Sequence, residues 1–366
     1  MNSLTENPSR AFLPGLPVWT IAAPLLAAAI YVGAALGLGG LYVILIAAGV
    51  AVSVFAAVHH AEVVAHRIGE PFGTLVLALA VTLIEVALIV SLMLAGGSEA
   101  SALARDTVFA AVMIILNGII GLCLLVGGWK HREQAFSLDG VSASLAALAV
   151  IAVMTMVFPN FTVTTPGPYY SSSQLILIAI ISLVIYGAFV FTQTVGHRQY
   201  FLDGDVDEAH GHPPTNAVAA ASGVLLVLCL VAVVLLAKKL APHLETALAN
   251  AGAPEALVGV VIAGIVLLPE GLAAVRAARQ NRLQTSLNLA LGSALASIGL
   301  TVPAVSALSL WLGAKLVLGI DAKSMILLML SLLVTTLVLR TGRTIILHGV
   351  VLLVIFAVYI FTTVVP

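Results

Sequence analysis

Apolar stretches long enough to cross a bilayer fill most of the chain, at roughly 17–36, 40–58, 72–95, 107–128, 141–158, 173–193, 216–237, 256–275, 285–310, 324–339 and 344–364. Hydrocarbon offers no water to bond the backbone, so each stretch is expected to be a helix that satisfies its own amides and carbonyls. The predicted fold is an all-α polytopic membrane protein with about eleven transmembrane helices. Charged residues make up only 8% of the 366 residues, against about 25% in a soluble domain. The connections are short, apart from "GHRQYFLDGDVDEAHGHPPTN" at 196–216, so no soluble domain fits. The lipid bilayer is the expected partner. A net charge of −1 gives no reason to expect nucleic acid, and the oligomeric state stays open.

Lysine and arginine orient the spans, because short cytoplasmic loops carry the excess. With the N-terminus inside, Arg10, Arg67, Lys130, Arg132, Arg198, Arg276, Arg279, Arg282, Arg340 and Arg343 fall in inner segments. Arg105, Lys238, Lys239, Lys315 and Lys323 fall outside, a bias of ten to five. This predicts a cytoplasmic N-terminus and an outer C-terminus. The first residues lack a basic region followed by a cleavage site, so they read as a polar tail and not as a signal peptide. Cys123 and Cys229 each lie in an apolar run and read as buried small hydrophobes.

Two residues break the pattern. Glu85 lies in the middle of "VTLIEVALIV" and Glu270 in the middle of "VVIAGIVLLPEGLAAV". A carboxylate at mid-span costs roughly 2.5–3.5 kcal/mol on insertion scales. Other acidic residues, such as Asp106, Asp139, Glu245, Glu255 and Asp321, fall near helix ends or in loops. With the first helix set aside, the rest divide into helices two to six and seven to eleven, and each glutamate lies on the second helix of its set. An odd number of spans per set inverts one set relative to the other. The predicted organisation is a cytoplasmic tail (1–16), a leading helix (17–37), a first five-helix repeat (38–195), an acidic and histidine-bearing cytoplasmic linker (196–215) and a second five-helix repeat (216–366).

The helix after each glutamate carries polar residues at mid-depth: Asn117 in "MIILNGIIG", then Ser293 and Ser297 in "LGSALASIG". Gly73 lies in the "GEPFG" that opens the Glu85 helix, and Pro269 directly precedes Glu270. Proline removes an amide and frees a carbonyl, which beside a cavity can ligate a cation. Carboxylate and carbonyl oxygens are hard donors suited to calcium or an alkali ion. Two mid-span carboxyls in inverted repeats are the pattern of a secondary transporter. The bland alternative is a pair of protonated carboxyls bonding neighbouring helices, and for Thr82, Ser293 and Ser297 close helix packing.

The segments "GEPFGTLVLALAVTLIEVALIVSL" and "VVIAGIVLLPEGLAAVRAARQNRLQTSLNLALGSALASIGLTVPAV" resemble the two alpha repeats of the cation/calcium exchanger superfamily, in particular its bacterial calcium/proton antiporter branch. The resemblance covers nearly the whole chain. It implies ion-binding roles for Glu85 and Glu270, with Asn117 and Ser293 as partners. It implies calcium exchanged for protons by alternating access, no cofactor, and a bacterial inner membrane. An enzyme is not expected, since no nucleophile–base pair or metal triad appears in the sequence. Relatives usually read Gly-Asn-x-x-Glu in both repeats, whereas Thr82 and Leu267 hold the Asn positions here, and Ala296 aligns with a common Gln. Fewer amide oxygens leave room for sodium or potassium, so a sodium or potassium antiporter is the alternative. A passive channel is less favoured because no continuous polar stripe lines a pore.

Other motifs read less sharply. His59, Glu62 and His66 share a helical face by spacing, and Glu62 and His66 could pass ions at a cytoplasmic mouth. Asp203, Asp205, Asp207 and Glu208 look like the start of a calcium loop. An EF-hand needs Gly at its sixth position and Glu at its twelfth, which are Glu208 and Pro214 here, so a solvated linker is expected.

Overall fold

The computed structural model describes residues 16–38, 40–69, 72–96, 102–201, 213–252, 254 and 256–365. The acidic part of the linker lies outside these residues, as do most of the N-terminal tail and Pro366. The apolar runs are helices: α1 (Val18–Ala35), α2 (Tyr42–Ile68), α3 (Phe72–Gly96), α4 (Leu103–Met113), α5 (Ile120–His131), α6 (Leu138–Ala152), α7 (Ser172–Phe191), α8 (Asn216–Asn250), α9 (Ala256–Val266), α10 (Leu268–Arg279), α11 (Leu283–Leu312), α12 (Ala322–Leu339) and α13 (Ile346–Val364). A π-helical segment, Ile114–Ile119, joins α4 to α5 in one continuous helix, and similar segments extend α6 and α7.

Among the described residues nine helices are long and apolar enough to cross a membrane, or ten when the bent pair α9–α10 is taken as one span. The expected eleventh crossing falls on α3, a 25-residue helix in which Leu79–Ser91 is a shorter apolar helix among the described residues. Large apolar side chains point outward along the spans, as a lipid solvent requires. Trp129 and Trp311 sit exposed near the ends of α5 and α11, the level at which amphipathic rings meet the interface. Cys123 and Cys229 are both buried and unbridged.

The chain forms two compact units, one of Met1–Val81 and Glu208–Leu240, the other of Thr82–Asp207 and Ala241–Pro366. Each draws on both halves of the sequence. In the first unit α1 packs on α2, with His60 Nε2 3.2 Å from the Thr20 carbonyl and the Tyr42 hydroxyl donating to Ile30 O at 3.0 Å. Gly49 leaves room on α2 for Ile30 and Leu236, and Arg67 Nε donates to Asn216 Oδ1 at 2.7 Å. His59 lies beside the Trp19 ring, whereas Glu62 and His66 are exposed.

The second unit is built around two central helices. In the most apolar stretch of Leu103–His131 72% of the residues are buried and in that of α11 61%, against 22% in that of the α7 span. Their apolar faces, with those of α6, α7, α12 and α13, make one continuous core. Polar loops close both ends of this unit. At one end a two-stranded antiparallel ribbon, β1 (Glu133–Ala135) with β2 (Arg343–Ile345), joins loops distant in sequence, a small addition to the all-helical expectation. Gln134 there donates to Ala278 O (2.9 Å) and Asn281 Oδ1 (3.0 Å), while Lys130 and His131 both reach the Arg279 carbonyl at the α10 C-terminus. At the other end Arg105 bonds Gly319 O, Tyr169 bridges to Val317, and Lys323 bonds Thr362 O.

Candidate cation-binding site

All six residues expected at the site, Glu85, Glu270, Asn117, Ser293, Thr82 and Ser297, belong to the second unit. Glu85 lies in the interior of α3 and is only 5% exposed. Its Oε2 accepts a hydrogen bond of 2.6 Å from Ser297 Oγ on α11, and its Oε1 is buried without a partner among the described residues. This bond joins the glutamate helix of the first half of the sequence to the polar helix of the second.

Glu270 occupies a different local structure. The helix breaks at Leu267, where α9 and α10 meet at a bend of 56°. Proline at 269 cannot donate to the carbonyl four residues back, so a straight helix through this point would leave one bond unmade. The new helix starts instead at Leu268, with Pro269 and Glu270 in its first turn. Proline suits a first turn, where amides have no intrahelical acceptor, and a carboxylate there meets the positive end of the helix dipole. Both carboxyl oxygens of Glu270 are buried without a partner among the described residues.

No matching break interrupts α3, which continues through Glu85 from Phe72 to Gly96. Gly73 is its second residue. A Cβ there would collide with the Ala65 carbonyl oxygen at the end of α2, so glycine permits a tight α2–α3 corner. The helix break therefore belongs to Pro269 and not to Gly73.

The helix after each glutamate helix belongs to the same unit. Asn117 lies within the π segment and is wholly buried; π-bulges within helices frequently mark functional sites. This segment packs against both α10 and α11, and Ile119 lies 3.2 Å from where a Cβ on Gly271, beside Glu270, would stand. Asn117 Nδ2 donates to Ser331 Oγ on α12 (2.9 Å) and to Met113 O (3.3 Å), while its Oδ1 is buried without a partner among the described residues. Ser293, one turn before Ser297, is half-buried, and Thr82, one turn before Glu85, is buried. Leu267 and Ala296, at positions where amides were expected, are buried apolar groups.

Three of the four carboxyl oxygens of the glutamate pair thus carry no protein hydrogen bond among the described residues, within an apolar unit. Buried carboxylates that accept no hydrogen bond from a basic side chain among the described residues need either protons or a cation to be stable in such surroundings. Ser331 and Met113 are site neighbours that the sequence did not single out. A lone serine in "LLMLSLLVTT" looks the same as one used for helix packing.

The family model for sodium/calcium exchanger proteins matches residues 38–195 and 221–365 of the chain. The chain is 48% identical to the y4hA protein of Sinorhizobium fredii over 96% of its own length and 97% of that protein. It is 38% identical to the sodium-potassium/proton antiporter ChaA of Escherichia coli over 86% of each. Its fold is similar to that of the solved Ca2+/H+ antiporter protein YfkE, with a TM-score of 0.71, 16% identity, and coverage of 96% of this chain and all of that one.

Proposed function

The chain belongs to the sodium/calcium exchanger protein family, and from that premise we propose that it exchanges cations for protons across the membrane, with Glu85 and Glu270 as the shared binding groups. The observation that carries this reading is the pair of buried carboxyls with three oxygens free of protein hydrogen bonds among the described residues. A deprotonated pair holds a cation and a protonated pair does not, so the two cargoes exclude each other. If the unit changes its accessible side only with the pair neutralised, one cargo must leave before the other crosses. This is alternating access with competition as the coupling device.

Ser297, Asn117, Ser293 and Thr82 complete the proposed oxygen shell. Calcium takes six to eight oxygens. Two glutamates supply up to four, and hydroxyl, amide and backbone oxygens around Pro269 add others. With Leu267 and Ala296 in place of amides, we expect a loose shell that accepts calcium and also sodium or potassium. The 38% identity to a sodium-potassium/proton antiporter supports the monovalent ions, and the fold shared with a Ca2+/H+ antiporter supports calcium.

The test is cation-dependent proton flux in everted vesicles, ion by ion. Flux with calcium and more weakly with sodium or potassium is the expected result, and no flux with any of the three rejects exchange. Thr82→Asn adds an amide oxygen one turn before Glu85, on the same helical face. It should shift preference toward calcium by several-fold in competition, and unchanged preference would place Thr82 outside the shell.

The proposed location is the bacterial inner membrane, with the N-terminus in the cytoplasm. The ten-to-five basic bias supports it. So does the gathering of Lys130, Arg343 and the Arg279 backbone at one end of the second unit. A reporter active only in the periplasm, fused after Pro366, should be active. Activity there from a cytoplasm-only reporter would reverse the orientation.

A further inference from the structure

Ser331 lies on α12, a helix that carries none of the proposed cargo ligands, and it is wholly buried. Its hydroxyl has two acceptors, Leu327 O one turn back at 2.7 Å and, at the longer distance of 3.6 Å, Met113 Sδ, so its proton is directed away from Asn117. A hydroxyl has one proton, so with that proton committed the oxygen can only accept from Asn117. The Asn117 atom 2.9 Å away is then Nδ2 and not Oδ1. A second acceptor, the Met113 carbonyl, lies 3.3 Å from the same nitrogen, and the Met113 sulfur lies 3.8 Å away. Rotating the amide by half a turn would set its oxygen against two oxygens. The network therefore leaves a single amide orientation, decided by the hydrogen bonds themselves. That orientation leaves Oδ1 buried and without a partner among the described residues, on a segment packed against the helices of Glu270 and Ser297.

We propose that Ser331 is a positioning residue of the cation site, which holds the Asn117 amide so that its oxygen faces the cargo. This rests on the reading of Asn117 as a cargo ligand given above. Ser331 never touches the ion. Without it, the amide keeps only the Met113 backbone as an anchor and can swing its donor end toward a cation, which repels it. Residues that orient metal ligands typically change affinity by 10–100-fold when removed.

The experiment is a calorimetric titration of the purified full-length protein with calcium, sodium and potassium. Ser331→Ala should weaken the tightest-bound of these ions about tenfold. In an Asn117→Ala background the same change should have no further effect, because residues acting through one another do not add. A packing role would lower the melting temperature equally in both backgrounds and leave affinity alone. Unchanged affinity in Ser331→Ala, or a full additive loss in the double variant, overturns the proposal. A wild type that binds none of the three ions fails the cation reading itself, and the positioning role falls with it. A wild type that binds, together with a silent Ser331→Ala, overturns the positioning role alone.

Discussion

Replacing either Glu85 or Glu270 by glutamine is expected to bring cation-driven proton flux down to the background of empty vesicles. The reason is that each carboxyl does two jobs at once. It supplies negative charge to the cargo, and it is the group that a proton must occupy for the cargo to leave. A carboxylate and a cation about 4 Å apart attract by about 4 kcal/mol at an effective dielectric near 20, or roughly a thousandfold in affinity. Glutamine removes that attraction and the titratable site together while keeping the shape. Folding should survive. Glu85 makes one side-chain hydrogen bond, from Ser297, which the glutamine carbonyl can still accept. Glu270 makes none among the described residues. Flux is measured with calcium, sodium and potassium in turn, after matching protein levels in the membrane. Substantial exchange in either variant would remove that residue from the site.

Most of what identifies this protein was legible from charge set against an apolar background. Glu85 and Glu270 stood out because burying a carboxylate is costly, and so each needs a reason. The spans were legible because lipid forces backbone self-satisfaction over a fixed length. Pro269 announced a break, and the chain does bend there. What remained hidden depended on which helix faces meet. Gly73 and Pro269 looked alike as helix breakers. The span bends at Pro269, whereas the glycine serves the close α2–α3 corner; Pro24, Pro242 and Pro303 lie inside unbroken helices, so proline alone does not divide a span. The π segment around Asn117 has no signature in "MIILNGIIG". The compact units each combine both halves of the chain, although the sequence pattern separates its repeats end to end. Pairings such as Ser297 with Glu85 cross between repeats, and no local spacing records them.

Gly349→Val should destabilise the protein far more than Gly187→Val, although both place the same side chain in an apolar helix. Between lipid-facing helices there is no hydrophobic gain from association, so stability depends on close packing. Helices α5 and α13 obtain it with glycine. A Cβ on Gly349 would run into the Leu125 amide nitrogen and lie 2.7 Å from Gly121 O. Across the same contact, Gly121 faces Leu352 Cβ at 3.1 Å, and Gly128 faces the Ile346 amide at 2.7 Å. These obstacles are mostly backbone atoms, which cannot rotate aside, so valine must push the helices apart. Overpacking of this kind costs roughly 1–3 kcal/mol or more, which lowers the melting temperature of a protein of this size by a few degrees. Gly187, on α7, has open space within 4 Å of where a Cβ would stand and should tolerate valine. The effect should also reach the site, because Phe356 of α13 lies 3.4 Å from the Cβ position of Gly118, next to Asn117. Gly349→Val protein that remains folded should therefore bind cations more weakly. The measurement is thermal loss of the monodisperse species in detergent for both variants. Equal melting temperatures would mean that α5 and α13 do not meet through Gly349, and would remove the support behind Asn117.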